Sequence, residues 1–184
     1  TGFQGVTNSG DYLTLGRGGS DTSAIALAAA LKADRCMIFT DVDGVYSADP
    51  RKEPNAVRFE QINEDTMLNL ALCGAKVLHP RAVALAKQYQ VPTEVLTSFS
   101  VKEGTVVSKN APRQTGVTMR RTGDESVITV VFRKKPTGDQ LATLLNIVLE
   151  HTNDVKYGSG ILQTTVGLQT SDELLHKIHS KLYS

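Results

Sequence analysis

The densest run of chemically useful residues is Gly16-Arg17-Gly18-Gly19-Ser20-Asp21, directly ahead of an alanine-rich stretch. Three glycines in four positions permit a tight turn and a close approach of backbone to a ligand, because no Cβ stands in the way. The amides beyond them open a helix, whose unpaired N–H groups and dipole favour an anion. Arg17 adds a planar fork matched to a carboxylate or a phosphate. This combination suits recognition of an anionic group in a small-molecule enzyme. The same pattern also describes a plain strand-to-helix turn with Ser20 or Asp21 as the N-cap.

A second cluster runs Thr40-Asp41-Val42-Asp43-Gly44-Val45-Tyr46, then Ser47-Ala48-Asp49-Pro50-Arg51, and brings acids, a hydroxyl, an aromatic ring and an arginine together. A calcium loop is excluded, since Gly44 falls at the fourth position instead of the sixth and Lys52 stands where the twelfth-position Glu belongs. A ligand-facing loop, with a nucleotide as ligand, is the better reading of this stretch than a bland turn. Lys76 sits between two helical stretches beside Gly74, where its amine can reach into a cleft. His79 ahead of Pro80 reads chiefly as a helix cap or a packing residue, with chemistry as the alternative. His176 and His179, three apart near the end of the chain, read as a solvated helix face and not as a metal pair.

The elements that must hold these residues follow from pattern. Thr1–Val6 and Tyr12–Leu15, around Asn8-Ser9-Gly10-Asp11, form a predicted β-hairpin. Asp21–Ala33 has high helix propensity and is apolar almost all round, so it is expected to be buried. Arg35–Thr40 is a near-continuous apolar run, expected as a parallel strand covered on both faces. Helix then strand is half of a βαβ unit, and ligands in such sheets sit beyond the carboxyl ends of the strands, where Thr40–Arg51 begins. Val57-Arg58-Phe59 is a short extended piece, and Asn63 caps a helix over Glu64–Cys73 that Gly74 ends. Pro80 takes the first position of a helix over 80–89, and strands follow at Val91–Leu96 and Gly104–Val107.

Residues 108–126 are polar and mark a boundary. Beyond it come a strand at Val127–Phe132, a helix at Gly138–His151, a strand at Ile161–Leu168 and a helix at Ser171–Leu182, with a weak strand at 154–157. That order describes a small α/β sandwich.

Bulk composition narrows the function classes. The 184 residues suffice for one domain, or one and part of another, and a chain opening at Thr1 without Met is expected to be a fragment. A net charge of +1 gives no electrostatic case for nucleic acid or an anionic membrane, and Arg120-Arg121 and Arg133-Lys134-Lys135 are short basic runs. Cys36 and Cys73 read as small core residues, without a disulfide framework or metal-ligand spacing, which suits a reducing cytoplasm. No signal peptide or membrane-length apolar run is present in the sequence.

As a set, Gly2-Phe3-x-Gly5, Leu15–Asp21, Thr40–Tyr46 with Asp49-Pro50-Arg51, and Gly74-Ala75-Lys76-Val77-Leu78-His79-Pro80 closely resemble aspartate kinase, in that family's order and spacing over about 1–107. Residues 127–184 are similar in pattern to the ACT regulatory domain that follows the kinase domain there. The resemblance implies an α/β fold: part of a three-layer α/β/α amino-acid-kinase sandwich over 1–110, a linker over 111–126, and an incomplete ACT-like α+β (ferredoxin-like) domain over 127–184. It implies ATP-dependent phosphorylation of the L-aspartate side-chain carboxylate to 4-phospho-L-aspartate, the first step of lysine, threonine and methionine biosynthesis, with Mg²⁺ as cofactor.

By the same resemblance, Phe3, Arg17, Gly18, Gly19 and Ser20 lie on the aspartate side, and Asp21 is the catalytic organiser of lysines around the transferring phosphoryl group. Thr40, Asp41, Tyr46, Arg51 and Lys76 are the nucleotide contacts, and no residue is assigned to a protein-held metal. The implied partners are L-aspartate, a lysine or threonine effector at the ACT-like region, and further copies of the chain joined through ACT domains, in the cytoplasm, without nucleic acid or membrane. The family's N-terminal Lys-Phe-Gly-Gly stretch is absent from these residues, and its Asp-Lys-Pro-Gly ligand turn is matched only loosely by Lys135-Pro136-Thr137-Gly138-Asp139. The alternative expectation is a noncatalytic, amino-acid-binding regulatory subunit.

Overall fold

The structure is a computed structural model that describes residues 2–100 and 102–184. Thr1, read above as part of the first extended run, lies outside the described residues. The chain divides into two compact units: one of Thr1–Val45, Glu60–Ala71 and Lys76–Pro112, the other of Tyr46–Phe59, Leu72–Ala75 and Arg113–Ser184.

In the first unit, β1 (Gln4–Val6) and β2 (Tyr12–Thr14) form the expected antiparallel hairpin, with Gly5 opposite Leu13. Helix α1 (Gly19–Ala30) precedes β3 (Cys36–Thr40); β4 (Gln61–Asn63) leads into α2 (Glu64–Leu72); α3 (Pro80–Tyr89) is followed by β5 (Thr93–Thr97) and β6 (Thr105–Ser108). The sheet order is β3-β5-β6-β4, with β3 parallel to β5, β4 parallel to β6, and β5 antiparallel to β6. Asn63 closes β4 and caps α2, its side-chain oxygen accepting from Asp65 N–H at 3.0 Å. Pro80 is the first residue of α3, as expected.

Two expectations about burial fail. Strand β3 is not covered on both faces: Cys36 and Ile38 are buried, whereas Met37 and Phe39 are 43% and 60% exposed. Successive side chains of a strand point to opposite faces, so Met37 and Phe39 share the face of β3 opposite Cys36 and Ile38, and that face is left largely exposed among the described residues. Helix α1 likewise buries only Gly19, Ile25 and Ala28, while Leu27 and Leu31 are 60% and 70% exposed. Alanine on every side of a helix signals high propensity but gives the pattern no direction.

Gly104 shows how tightly β5 and β6 meet. A Cβ there would lie 1.8 Å from the Val95 carbonyl oxygen, which is backbone and cannot swing aside. Gly104→Ala is expected to cost about 3 kcal/mol or more of stability by overpacking, read as a lowered urea midpoint with an unchanged denaturant slope.

The second unit carries β7 (Gly116–Thr122), β8 (Glu125–Val131), α4 (Gly138–Leu149), β9 (Val155–Gly158), β10 (Ile161–Gly167) and α5 (Leu168–Tyr183). Strand β7 occupies the polar stretch expected as linker; its seven residues pair with β8 from Gly116 opposite Val131 to Thr122 opposite Glu125. The sheet is antiparallel throughout in the order β7-β8-β10-β9, and the element order is ββαββα: the weak strand expected at 154–157 is β9, and β7 is the strand that the βαβα reading lacked. Both helices pack on it through Leu144, Val148, Leu174, Leu175 and Ile178 against Ile128, Val130, Leu162 and Val166. A capping box at Thr137 and Gln140 starts α4. The segment 46–59 joins this core through Ala48, and Val117 N–H donates to the Ser47 carbonyl at 2.7 Å.

Candidate active site

The glycine-rich loop is built as its residues demand. Gly16 and Gly18 have φ of 73° and 72°, in the left-handed region that glycine enters without strain. Gly18, and neither Ser20 nor Asp21, is the N-cap of α1, with no side-chain cap hydrogen bond. Gly19 N–H donates to the Gly16 carbonyl and Thr22 N–H to the Gly18 carbonyl, both at 3.0 Å. Between them, the Ser20 and Asp21 amides have no acceptor among the described residues, the arrangement that leaves a helix start open to an anion. Ser20 is exposed and its hydroxyl lies 3.5 Å from Asp21 Oδ1. Arg17 is exposed, and its guanidinium has no partner among the described residues.

The loop is held from three sides. Phe3, at φ 66°, accepts from Leu15 N–H at 2.7 Å, and its own N–H donates to Ser23 Oγ at 3.1 Å. A Cβ on Gly19 would meet Leu15 Cβ at 2.9 Å and Phe3 Cδ2 at 3.0 Å, so the hairpin end packs directly on the helix start. His79 packs on Gly18 so closely that a Cβ there would lie 2.2 Å from His79 Cγ. His79 also caps α3, its Nδ1 accepting from Arg81 N–H at 3.3 Å, and Arg81 Nη1 donates to the Leu15 carbonyl at 3.2 Å. Of the residues grouped by sequence reasoning, Arg17, Gly18, Gly19, Ser20 and Asp21 lie in one loop and helix start, and Phe3 packs on it from the start of the hairpin. That reasoning missed Ser23 and Arg81 as supports, because backbone carbonyl contacts leave no trace in residue spacing.

Thr40 ends β3 and Asp41 follows it; Thr40 Oγ1 donates to Asp41 Oδ1 at 3.1 Å, and Asp41 is exposed. Lys76 is exposed in the connection between α2 and α3 and has no partner among the described residues. Tyr46 and Arg51 belong to the second unit: Tyr46 bridges to Arg58, and Arg51 forks onto Asp49 with Nε to Oδ1 at 3.0 Å and Nη2 to Oδ2 at 3.2 Å. Burial pushes the Asp49 carboxyl up, but the Arg51 hydrogen bonds and the charges of Arg51 and Lys52 outweigh it and hold Asp49 below the usual carboxylate range.

The last helix corrects the reading of its histidines as a solvated face. His179 is 1% exposed, and His176, though half-exposed, puts Nδ1 2.8 Å from Oε2 of Glu53, itself fully buried. His179 Nε2 lies 2.8 Å from Ser47 Oγ, its Nδ1 faces Glu53 Oε1 at 4.0 Å, and its ring stacks on Tyr183 at 4.6 Å. The Nδ1–H tautomer fits this setting, since Nε2 then accepts from the Ser47 hydroxyl, while buried Nδ1 makes no hydrogen bond among the described residues and faces the Glu53 carboxylate only across 4.0 Å.

Burial pushes the His179 imidazole below its ordinary range, with the Glu53 charge opposing. Burial pushes Glu53 up, but the Asn55 N–H and the two histidines more than compensate and hold it low. Both groups therefore bind protons more readily in the unfolded chain, so the stability they contribute is present at neutral pH. It is lost first as pH falls through the ordinary imidazole range and again below the ordinary carboxylate range. Tyr183, pushed up to about 12 chiefly by burial, does not titrate in that window, and Lys52 is paired with Asp172 at 3.0 Å. Urea unfolding is expected to show lower stability at pH 5.5 than at pH 7.5, and His179→Gln is expected to shrink that difference.

The model of the amino acid kinase family matches residues 1–97. The chain belongs to the amino acid kinase family. Within it, an aspartokinase of Geobacillus stearothermophilus is 51% identical over 130 residues, covering 71% of this chain and 32% of that protein. E. coli aspartokinase III in complex with aspartate and ADP (R-state) superposes with a TM-score of 0.84 over 100% of this chain and 60% of that one. The same enzyme in complex with lysine and aspartate (T-state) gives 0.77, and identities of 22% and 24% make both likenesses statements about fold. The chain therefore spans about a third of the length of the curated relative it matches.

Proposed function

We propose that this chain is the loop-bearing and regulatory part of an aspartate kinase, which transfers the γ-phosphoryl group of ATP to the side-chain carboxylate of L-aspartate. The observation that carries the reading is the Gly16–Asp21 loop, which among the described residues offers an unpaired arginine and two acceptor-free amides on one helix start, in a chain 51% identical to an aspartokinase over 130 residues.

The acceptor needs no strong base, because a carboxylate is already ionised near neutral pH. One carboxylate oxygen bonds to the γ-phosphorus, the bond from that phosphorus to the bridging oxygen breaks, and ADP departs with the electron pair. Catalysis then rests on alignment and on neutralising the phosphoryl oxygens. In this reading Arg17 and Ser20 hold the aspartate, with Phe3, Gly18 and Gly19 shaping the cradle, and Asp21 orients cationic groups around the transferring phosphoryl. Thr40, Asp41, Tyr46, Arg51 and Lys76 are the proposed nucleotide contacts, Lys76 as a point charge.

Among the described residues no three His, Cys, Asp or Glu side chains gather into a metal cage. In this reading Mg²⁺ is carried on nucleotide phosphates and water, as this ion prefers, and its contribution is charge neutralisation there. No helix among the described residues is long and apolar enough to cross a membrane. Lysine or threonine as effector at the ACT-like second unit, and self-association through that unit, belong to the same proposal; lysine bound to E. coli aspartokinase III supports the first.

ADP release from MgATP tests the reading, with L-aspartate set against L-glutamate and acetylglutamate. Release dependent on L-aspartate supports it, and equal turnover of glutamate refutes the acceptor assignment. Calorimetry that finds lysine binding without nucleotide binding favours the noncatalytic regulatory subunit instead.

A further inference from the structure

The buried Glu53 has no place in the chemistry above, yet it is among the most completely enclosed charged side chains of the protein. It lies on the segment 46–59, between Tyr46 and Arg51 on one side and the extended piece at Val57–Phe59 on the other. That segment is tied to α5 three times. Ser47 Oγ meets His179 Nε2 at 2.8 Å, Glu53 is received between His176 and His179, and Lys52 Nζ meets Asp172 Oδ1 at 3.0 Å.

Ser47 is a hub. Its N–H donates to the Val57 carbonyl at 2.9 Å, its hydroxyl oxygen accepts from Val57 N–H at 2.8 Å, and its carbonyl accepts from Val117 N–H at 2.7 Å. The turn that carries Arg51 is equally constrained. Lys52 N–H and Glu53 N–H both donate to the Asp49 carbonyl at 2.9 Å, and Asn55 N–H donates to Glu53 Oε1 at 3.0 Å. A buried carboxylate held by one backbone amide and one imidazole is costly to keep unless those partners stay in place. The position of the segment is thereby coupled to the position of one face of α5.

We propose that Glu53 is a positioning residue for the nucleotide side: hydrogen-bonded by His176 and flanked by His179, it locks the segment bearing Tyr46 and Arg51 onto α5, so that this clasp sets nucleotide affinity. The inference rests on the reading of Tyr46 and Arg51 as nucleotide contacts and deepens it, by naming the side chains through which the ACT-like unit governs that contact. A ligand or partner that shifts α5 would act on nucleotide affinity by loosening the clasp, without touching either Tyr46 or Arg51.

Glu53→Gln keeps the shape and removes the charge. MgADP binding to the full chain is measured by calorimetry for the unaltered protein, Glu53→Gln and Arg51→Ala, alongside L-aspartate binding and amide exchange at Ser47 and Val57. If the substitution leaves the clasped state a tenth populated, the MgADP Kd rises about tenfold, exchange at the two amides accelerates, and the aspartate Kd is unchanged. The selective loss matters, because a general weakening of the fold moves both ligands together. Nucleotide binding that is sensitive to Arg51→Ala but indifferent to Glu53→Gln overturns the clasp alone. Parallel loss of aspartate and nucleotide binding also overturns it. Absence of MgADP binding by the unaltered chain overturns the functional reading, and this inference with it.

Discussion

Gly18→Ala is expected to lower aspartate-dependent turnover about 100-fold, since a misplacement of the order of 1 Å in a positioning element costs that much. Two separate penalties meet at this residue. At φ 72° an added Cβ meets the following carbonyl, at a cost of about 1–2 kcal/mol. That Cβ would also stand 2.2 Å and 2.4 Å from His79 Cγ and Cβ. The ring stem of His79 is anchored as the N-cap of α3 and cannot simply rotate away, so overpacking adds about 1–3 kcal/mol. The relieving movement opens the contact between α3 and the loop that presents Arg17 and the Ser20 and Asp21 amides. Thermal unfolding and initial rates against aspartate check both parts. The double variant Gly18→Ala, His79→Ala should recover stability and rate only in part, because it removes the steric clash but neither the backbone strain nor the lost cap.

Arg17→Ala is expected to raise the aspartate KM about 10–100-fold, the equivalent of losing charge-assisted hydrogen bonds worth about 1.5–3 kcal/mol. Because Arg17 is exposed and unpartnered among the described residues, the substitution removes no structural contact, and the melting temperature should hardly change. The ATP KM should also stay close to that of the unaltered protein. Arg17→Lys restores charge but not the planar fork, so it should recover only part of the loss. An unchanged aspartate KM in Arg17→Ala would remove Arg17 from the substrate side.

The loop was legible because each of its features is local. Glycines in the left-handed region, a helix start and an arginine are all set by neighbouring residues, and Gly16, Gly18 and α1 formed where that chemistry demands. The cap of α1 was misplaced because left-handed Gly18 ends the turn before Ser20 can serve. His79 was read as a cap, which it is, but its seat on Gly18 joins residues 61 apart and is set by the packing of α3. Strand β7 was missed because Arg120, Arg121 and Thr122 are exposed at its far end, so polarity there signals one bare end of a hairpin and not a linker. His179 was the most readable of the missed features. It follows Leu175 by one helical turn and so shares the buried face of α5, whereas His176 falls beside it towards solvent. The partner that makes a buried histidine tolerable, Glu53, lies 126 residues away and was invisible from the helix alone.

The central claim is that a carboxylate, and that of aspartate in particular, accepts the phosphoryl group. Trapping with hydroxylamine tests it most directly, because an acyl phosphate yields a hydroxamate and other phosphorylated products do not. With MgATP and L-aspartate the account predicts aspartate hydroxamate in step with ADP, strongly reduced by Arg17→Ala. ADP release without hydroxamate, or equal hydroxamate from L-glutamate, would contradict it.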